Sequence, residues 1–338
     1  MLTKTIVSFP GLGIGEFDVD NVAFKIGENF SVYWYGVIIT FGIVCAFLYT
    51  AFRGYYEKIK TDDVIDVTLW TVILGVVGAR LYYVLTSLDN YIPDPFDFFE
   101  FIKNIFNLRQ GGLAIYGGII CGILGIVIST KIKKMNTIKL MDMAGPGVML
   151  AQAIGRWGNF FNGEAHGCVV PENSPLYFLR MGLLPNEDSA FTTFYYHPTF
   201  LYESVWNIIG FVIIQFFYKK KKFNGQIACM YLSWYGFGRM FIEGLRTDSL
   251  YVGSFRISQV VGLVSFVVFG ALLIAGLIYS KKFNDPNVKL SKFDEMIKPD
   301  LEPNPVFFAK KQKKVTAEGT SEENTTNDTG DGENGEDN

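Results

Sequence analysis

The sequence predicts an all-α polytopic membrane protein with seven transmembrane helices. Apolar residues make up 49% of the 338 residues, a high share for a soluble chain. Seven apolar runs each approach the roughly 20 residues that cross a bilayer. Basic residues are concentrated in alternate connections between these runs. The runs are expected to be helices, because an open sheet edge cannot satisfy its backbone groups in lipid.

The predicted spans follow one another along most of the chain. They cover 31–52, 64–87, 111–132, 138–161, 199–218, 225–245 and 256–280. The opening MLTKTIVSFPGLG lacks the long apolar core and cleavage site of a signal peptide, so we expect the first span to direct insertion itself.

Lysine and arginine counts in the connections predict the orientation of the spans. The positive residues cluster in one alternate set of connections, at 53–60, 131–139, 219–222 and 281–282. The opposite set holds only scattered positive charges. The N-terminus is therefore expected outside and the C-terminus in the cytoplasm.

Two connections and the C-terminal end carry further predictions. Apolar and polar residues of 98–106 fall on opposite faces of a helix, which predicts an amphipathic helix in the outer interface. Residues 162–198 contain prolines and polar residues and predict a small extracytoplasmic cap. Apolar periodicity fades after the membrane domain of residues 1–282, and the chain ends in an acidic, low-complexity stretch. Residues 283–338 are therefore expected to form a disordered cytoplasmic tail.

Composition also excludes several classes of function. No basic groove with interleaved aromatic residues is present, so nucleic-acid binding is not expected. The four cysteines show neither CxxC nor metal-type spacing, which argues against a metal site and a disulfide scaffold.

Polar residues lie where lipid should exclude them. Neighbouring spans run in opposite directions, so residues late in even-numbered spans share a depth with residues early in odd-numbered ones. An uncompensated charge at bilayer depth costs roughly 2.5–3.5 kcal/mol, so such residues need a partner or a function. The candidate site residues that share or adjoin this depth are Tyr35, Arg80, Tyr116, Arg156, Asn159, Asn162, Glu164, His197, Arg239, Glu243 and Arg246. We predict a polar site in the outer half of the bundle.

The arginines favour a phosphate ligand, because the planar guanidinium binds phosphate through two hydrogen bonds. A phospholipid headgroup is the nearest candidate. In the alternative interpretation, Arg239 and Glu243 neutralise each other across one helical turn. A lone histidine such as His197 can cap a helix as well as take part in catalysis. Tyr35 can belong to the belt of interfacial aromatic residues as well as to a ligand site.

The motifs around these residues resemble those of the bacterial phosphatidylglycerol:prolipoprotein diacylglyceryl transferase family. GRWGNFFNGE at 155–164 is similar to the family signature G-R-x-G-N-F-x-N-x-E. Supporting motifs are YWYG at 33–36, GAR at 78–80, GGLAIYGG at 111–118, HPTFLYE at 197–203 and GRMFIEGLR at 238–246.

The resemblance implies a seven-span enzyme of the bacterial inner (cytoplasmic) membrane, with its active site toward the outer leaflet. Such an enzyme moves a diacylglyceryl group from the membrane lipid phosphatidylglycerol to the lipobox cysteine thiol of a preprolipoprotein. Glycerol 1-phosphate leaves, and the step is the first in lipoprotein maturation. No cofactor beyond the lipid substrate is implied.

Family motifs and residue chemistry together predict the roles of the site residues. Catalytic roles are predicted for Arg156, Arg239, Glu164, Glu243 and Tyr116. Substrate binding is predicted for Arg156, Asn159, Asn162, Tyr35, Arg80, Arg246 and His197. Some family members carry histidine at the position of Tyr116, and tyrosine, with a reference pKa of about 10, is a weaker base at neutral pH. The group that accepts the thiol proton therefore stays open.

Two other classes of function compete with the transferase. A transporter also buries arginines, but its polar groups would continue toward the cytoplasmic half, where Asp66 and Asp142 are among the few present. A noncatalytic lipid-binding or scaffolding protein is the third class.

Overall fold

The computed structural model describes residues 4–27, 30–93, 97–107, 111–184, 194–218, 220–284 and 289–299. Within these ranges the α-helices are α1 (Trp34–Tyr56), α2 (Thr61–Thr86), α3 (Phe98–Phe106), α4 (Ile115–Ile132), α5 (Thr137–Phe161), α6 (Thr199–Tyr218), α7 (Gln226–Leu245), α8 (Ile257–Tyr279) and α9 (Lys292–Ile297). The long helices, which are all of these except α3 and α9, coincide with the predicted spans to within a few residues.

Five of the described helices are long and apolar enough to cross a membrane: α1, α2, α4, α6 and α8. The helices α5 and α7 have 25 and 20 residues, but they carry polar site residues such as Arg156 and Arg239. The apolar helices make the chain a multi-pass membrane protein.

Helix α5 lies at the centre of the bundle and contacts α1, α6 and α7. Helix α2 pairs with α4, and α8 pairs with α7. Glycines permit the close α2–α4 contact, because a Cβ atom added to Gly78 would lie 2.7 Å from the carbonyl oxygen of Gly117. Small residues thus set how closely these helices approach, as in other membrane bundles.

The described chain also contains strands, so the all-α prediction was wrong for the region outside the bundle. The strands are β1 (Lys4–Phe9), β2 (Ile14–Asp20), β3 (Val22–Ile26), β4 (Phe30–Tyr33), β5 (Met181–Leu184), β6 (Tyr195–Tyr196), β7 (Tyr251–Val252) and β8 (Phe255–Arg256). An antiparallel sheet has the order β2-β1-β5-β6, and β3–β4 and β7–β8 form two hairpins. Buried Val7, Val19 and Met181 pack against Phe200 at the start of α6. The cap therefore combines the N-terminal residues with part of 162–198, and it covers one end of α5 and α6.

Helix α3 confirms the predicted helix at 98–106. The side chain of Asp97 accepts hydrogen bonds from the backbone N–H groups of Phe99 and Glu100, at 2.7 and 3.2 Å, and so caps the helix. Phe99 and Phe106 are 83% and 76% exposed, so the apolar face of α3 points away from the bundle.

The expectation of disorder from residue 283 does not hold for α9. Its Asp294 is buried and accepts a hydrogen bond from the Tyr279 hydroxyl at 3.0 Å. Asn224, in the turn between α6 and α7, donates to a backbone carbonyl of α9 at 3.0 Å. These partners explain why a short polar segment packs against the bundle. Residues 300–338, the rest of the predicted tail, lie outside the described residues.

Candidate active site

The carboxylate of Glu203 in α6 lies at the centre of the candidate site. Glu203 is only 2% exposed. Oε1 lies 2.6 Å from Nη2 of Arg156 in α5, and Oε2 lies 2.8 Å from Nη1 of Arg239 in α7. The Tyr235 hydroxyl donates to Oε1 at 3.4 Å. One carboxylate therefore brings together two arginines from different helices.

Arg239 has a second carboxylate partner on its own helix. Its Nη2 lies 2.6 Å from Oε2 of Glu243, four residues along α7. The neutralising pair expected from the sequence is thus present, but Glu203 binds the same guanidinium from α6. We call Arg156, Glu203, Arg239 and Glu243 the arginine–glutamate cluster. Its two positive and two negative charges offset each other, which lowers the cost of burial.

The arginines are the members of this cluster that a ligand can reach. The side chains of Arg156 and Arg239 are 18% and 14% exposed, whereas those of Glu203 and Glu243 are 2% exposed. A guanidinium presents five donors in a planar fork. An anion that approaches the cluster therefore meets the guanidinium groups before it meets the carboxylates.

The signature residues Asn159 and Asn162 hold Glu164. Their side-chain amides donate to Glu164 Oε1 at 3.1 and 3.2 Å. Asn159 Oδ1 accepts a long hydrogen bond from Arg156 Nη1, at 3.5 Å. Glu164 is exposed, so it is connected to the cluster through Asn159 without being buried in it.

Tyr35, near the start of α1, lies beside this signature. Its ring packs against Gly158, where an added Cβ atom would lie 3.0 Å from Tyr35 Cδ2. The charges of Glu164 and Arg156 both act on its hydroxyl group. The structure therefore brings Tyr35 together with the predicted residues of α5.

Arg80 was predicted to bind substrate, and the structure gives it another role. It is 6% exposed. Its donors reach five backbone carbonyl oxygens at 2.7 to 3.1 Å, those of Asn104, Ile105, Asn107, Gly111 and Gly112. A guanidinium has five N–H donors, so none is left for a phosphate. Arg80 fixes the end of α3 and the glycine pair that leads into α4.

His197 likewise has structural partners among the described residues. It is 4% exposed, and its Nδ1 lies 3.1 Å from the hydroxyl of Tyr202. Its backbone N–H donates to the carbonyl of Cys168 at 3.0 Å. Burial lowers the pKa of the imidazole below its ordinary value, so the neutral ring is favoured. These contacts favour the structural interpretation over substrate binding.

Arg246 lies at the edge of the site. Its Nε and Nη2 donate to Asp248 Oδ1 and Oδ2, at 3.0 and 2.7 Å, and its Nε is 3.9 Å from Glu243. Burial raises the pKa of Asp248, but the hydrogen bonds and charge of Arg246 outweigh that effect and hold it below its ordinary value. The sequence analysis missed Asp248, which occupies the fork that a phosphate would use.

Tyr116 lies at a different helix contact. Its hydroxyl is 3.4 Å from Oγ of Ser258 in α8, and the residue is half-buried. Among the described contacts, none joins it directly to the arginine–glutamate cluster. Glu203, the last residue of the motif HPTFLYE, was not selected as a site residue in the sequence analysis. The signal was present, because two intramembrane arginines need more negative charge than Glu243 alone supplies.

Known proteins are similar to this chain over most of its length. The family model of prolipoprotein diacylglyceryl transferase matches residues 21–275. A phosphatidylglycerol–prolipoprotein diacylglyceryl transferase of Clostridium kluyveri is 42% identical over 267 residues, which cover 78% of this chain and 97% of the relative. The enzyme of that name from Listeria monocytogenes is 38% identical over 291 residues, or 85% of this chain and 99% of the relative. The resemblance to this family that the sequence analysis identified is thereby confirmed, and the chain belongs to the prolipoprotein diacylglyceryl transferase family.

Proposed function

We propose that this chain transfers the diacylglyceryl group of phosphatidylglycerol to the lipobox cysteine thiol of a preprolipoprotein. The names of its relatives specify the lipid and the acceptor protein. The observation that carries the proposal is the Glu203 carboxylate held between Arg156 and Arg239. Two guanidiniums within reach of one carboxylate are also within reach of one phosphate, which offers oxygens of similar spacing.

The reaction is a displacement at the glyceryl carbon that carries the phosphate ester. The thiol sulfur forms the new C–S bond, and the C–O bond breaks with its electron pair staying on the phosphate oxygen. A thioether and glycerol 1-phosphate result, and the phosphate gains negative charge as it leaves. Arg156 and Arg239 stabilise that charge, and the site orients the lipid and the peptide.

The thiol proton has more than one possible acceptor. Glu164 is exposed and is linked to Arg156 through Asn159, so it can accept a proton beside the phosphate site. Glu243 is buried against Arg239, which favours an orienting role. The hydroxyl of Tyr116 can donate a hydrogen bond without being ionised.

We further propose that all seven long helices cross the bacterial cytoplasmic membrane and that the site faces the outer leaflet. The arginine–glutamate cluster lies at the ends of α5, α6 and α7 that adjoin the cap, whereas the lysine-rich connections lie at the opposite ends. A reporter after Lys282 should be cytoplasmic, and a tag after the exposed Glu172 should be accessible from outside. The opposite labelling would overturn this orientation.

The buried residues between the two ends of α5 favour an enzyme over a transporter. Met149, Phe211 and Ile214 are 0%, 6% and 2% exposed and belong to one apolar cluster. They lie between the arginine–glutamate cluster and the charged residues around Asp142, and the buried polar side chains at this level of α6, those of Asn207 and Gln215, are uncharged. A transporter would need a polar route through this layer.

Incubation of the purified protein with labelled phosphatidylglycerol and a lipobox peptide tests the proposed function. We expect the diacylglyceryl label on the peptide and one glycerol 1-phosphate released for each peptide modified. A peptide with serine in place of the lipobox cysteine is the control. Lipid binding without product would favour the noncatalytic class, and lipid movement across a vesicle without product would favour a transporter.

A further inference from the structure

Asn207 in α6 is a buried amide whose hydrogen bonds the helix bundle does not satisfy. It is 0% exposed, and neither its Oδ1 nor its Nδ2 has a hydrogen-bond partner among the described residues. Gln215, about two turns further along α6, is equally buried, but it accepts from the Tyr49 hydroxyl at 3.0 Å and donates to the carbonyl of Phe211 at 3.3 Å. A buried polar group without a partner destabilises the fold, so the amide of Asn207 requires an explanation.

Asn207 lies next to Glu203 of the arginine–glutamate cluster. The two residues are four positions apart on α6 and are both buried, so they share one face of the helix. The Cα–Cβ bonds of a helix tilt toward its N-terminus, which brings the amide of Asn207 toward the turn that contains Glu203. Their Cβ atoms are therefore about 5–6 Å apart. A rotation of the Glu203 side chain brings its carboxylate within reach of the Asn207 N–H groups.

Glu203 occupies the position that a phosphate would take between the arginines. Its two carboxylate oxygens contact Arg156 and Arg239, and the other terminal nitrogen of Arg239 contacts Glu243. A phosphate and the Glu203 carboxylate are both negative, so their repulsion opposes the binding of both between the same arginines. A phosphate that binds both arginines therefore displaces Glu203. A buried carboxylate that loses its arginine partners needs other hydrogen-bond donors.

We propose that Asn207 is a positioning residue that receives the Glu203 carboxylate when a phosphate binds between Arg156 and Arg239. The inference rests on the proposed function, because the displacing phosphate is that of phosphatidylglycerol. While Glu203 binds the arginines, the Asn207 amide has no described partner; once the phosphate binds, Nδ2 of Asn207 donates to the carboxylate. The new hydrogen bond offsets part of the free energy that is lost when Glu203 leaves the arginines.

Binding of dihexanoyl-phosphatidylglycerol to the purified full chain, without peptide, tests the proposal. Asn207→Leu keeps a side chain of similar size but removes its donors. We expect Kd to rise about tenfold to a hundredfold, the range for one hydrogen bond to a charged group, while the midpoint of thermal unfolding does not fall. Asn207→Ala, which also lacks the donors and adds no bulk, should raise Kd by a similar factor.

Gln215→Leu is the matched control, because it removes a buried amide of the same helix that already has partners. The Tyr49 hydroxyl loses its acceptor, so we expect a lower unfolding midpoint, whereas Kd should change less than about twofold. Asn207→Leu and Gln215→Leu should thus show opposite patterns of binding and stability.

A double-mutant cycle tests whether Asn207 acts through Glu203. In a Glu203→Gln background the displaced side chain is neutral and needs a donor less than a carboxylate does, so Asn207→Leu should raise Kd only about threefold or less. The same large effect in both backgrounds would overturn the proposal, because Asn207 would then contact the lipid itself. An unchanged Kd in both Asn207 variants would also overturn it. Failure of the wild-type chain to bind the lipid would instead refute the phosphate site of the proposed function.

Discussion

The two ends of α5 both carry buried charges, but their partners differ. Near its C-terminal end, Arg156 pairs with the side chain of Glu203. Near its N-terminal end, Asp142 is 0% exposed and accepts hydrogen bonds from the backbone N–H groups of Gly225 and Ala228, at 2.7 and 2.9 Å. These donors belong to the first turn of α7, where the helix dipole favours a carboxylate. Asp142 also pairs with Lys221 at 3.2 Å.

The difference separates structural polar residues from residues that can bind a ligand. Asp142 and Arg80 bond to backbone groups, so a ligand would have to disrupt a helix end or a loop to replace their partners. Arg156 and Arg239 bond to carboxylate side chains, which an anionic ligand can join or displace without moving the backbone. The predicted depth in the membrane is similar for Arg80 and Arg156, so the kind of partner is the better guide to function.

The distance between the two regions should make them energetically independent. The rise of 1.5 Å per residue places Asp142 and Arg156 about 20 Å apart along α5. Changes at sites this far apart, without shared partners, usually have additive effects. Substitutions near Arg156 should therefore affect transfer, and substitutions near Asp142 should affect stability.

The largest expected effect is that of Arg156→Lys on transfer. The substitution keeps the charge but removes the two-point fork, and we expect turnover to fall roughly 100-fold to 1000-fold. The midpoint of thermal unfolding in detergent should change little, because lysine can still pair with Glu203. Turnover is measured at saturating lipid with protein shown to be inserted. Near-wild-type turnover would refute bidentate phosphate binding.

Asp142→Ala should show the opposite pattern. The substitution leaves Lys221 without this buried partner and removes the carboxylate that accepts hydrogen bonds from the first turn of α7. We therefore expect the free energy of unfolding to fall by about 3–5 kcal/mol. Turnover per folded molecule should stay close to that of the wild type. Asp66→Ala is the control, because the pair of Asp66 with Lys133 is at the surface and contributes about 0–1 kcal/mol. A selective loss of turnover in Asp142→Ala would show that the two ends of α5 are coupled.

Features that depend on local sequence were predictable. The long helices follow from the length of the apolar runs, and the pair of Arg239 and Glu243 follows from their spacing on one helix. A small cap was predicted at 162–198, but its β-strands were missed because they are short and their pairing is non-local. For example, Val7 of β1 pairs with Leu183 of β5, far along the chain. No local apolar run marks such a sheet.

The partners of the arginines were only partly predictable, for a similar reason. Helical depth places Arg80, Arg156 and Glu203 near one level, but it does not specify which side chains face each other. The contact of Arg156 with Glu203 depends on how α5 and α6 pack. The carbonyl partners of Arg80 could not be read from the sequence, because every residue carries a backbone carbonyl.

Removal of α9 should have a moderate effect, confined to stability. Truncation after residue 288 removes the partners of Asn224 and Tyr279, and we expect a loss of about 1–3 kcal/mol. Truncation after Pro299 is the matched control and should leave the unfolding midpoint unchanged. Both proteins should retain transfer, because α9 packs at the end of the bundle opposite the arginine–glutamate cluster. A large loss of turnover at equal membrane abundance would contradict this separation.

The smallest expected effect concerns the hydroxyl of Tyr116, which contacts Ser258 and lies outside the arginine–glutamate cluster. A hydroxyl that donates one hydrogen bond to the phosphate or orients the thiol contributes about 0.5–1.5 kcal/mol, so Tyr116→Phe should lower kcat roughly threefold to tenfold. Tyr116→His should retain substantial activity, because imidazole can also donate a hydrogen bond. Ser258→Ala, which removes only the partner of the hydroxyl, should have the weakest effect. Base catalysis makes a different prediction, because a base must ionise before it can accept the thiol proton. If Tyr116→Phe abolished transfer in a folded protein and also removed a titration from the pH–rate profile, Tyr116 would be the base, and a residue outside the cluster would be essential for the chemistry.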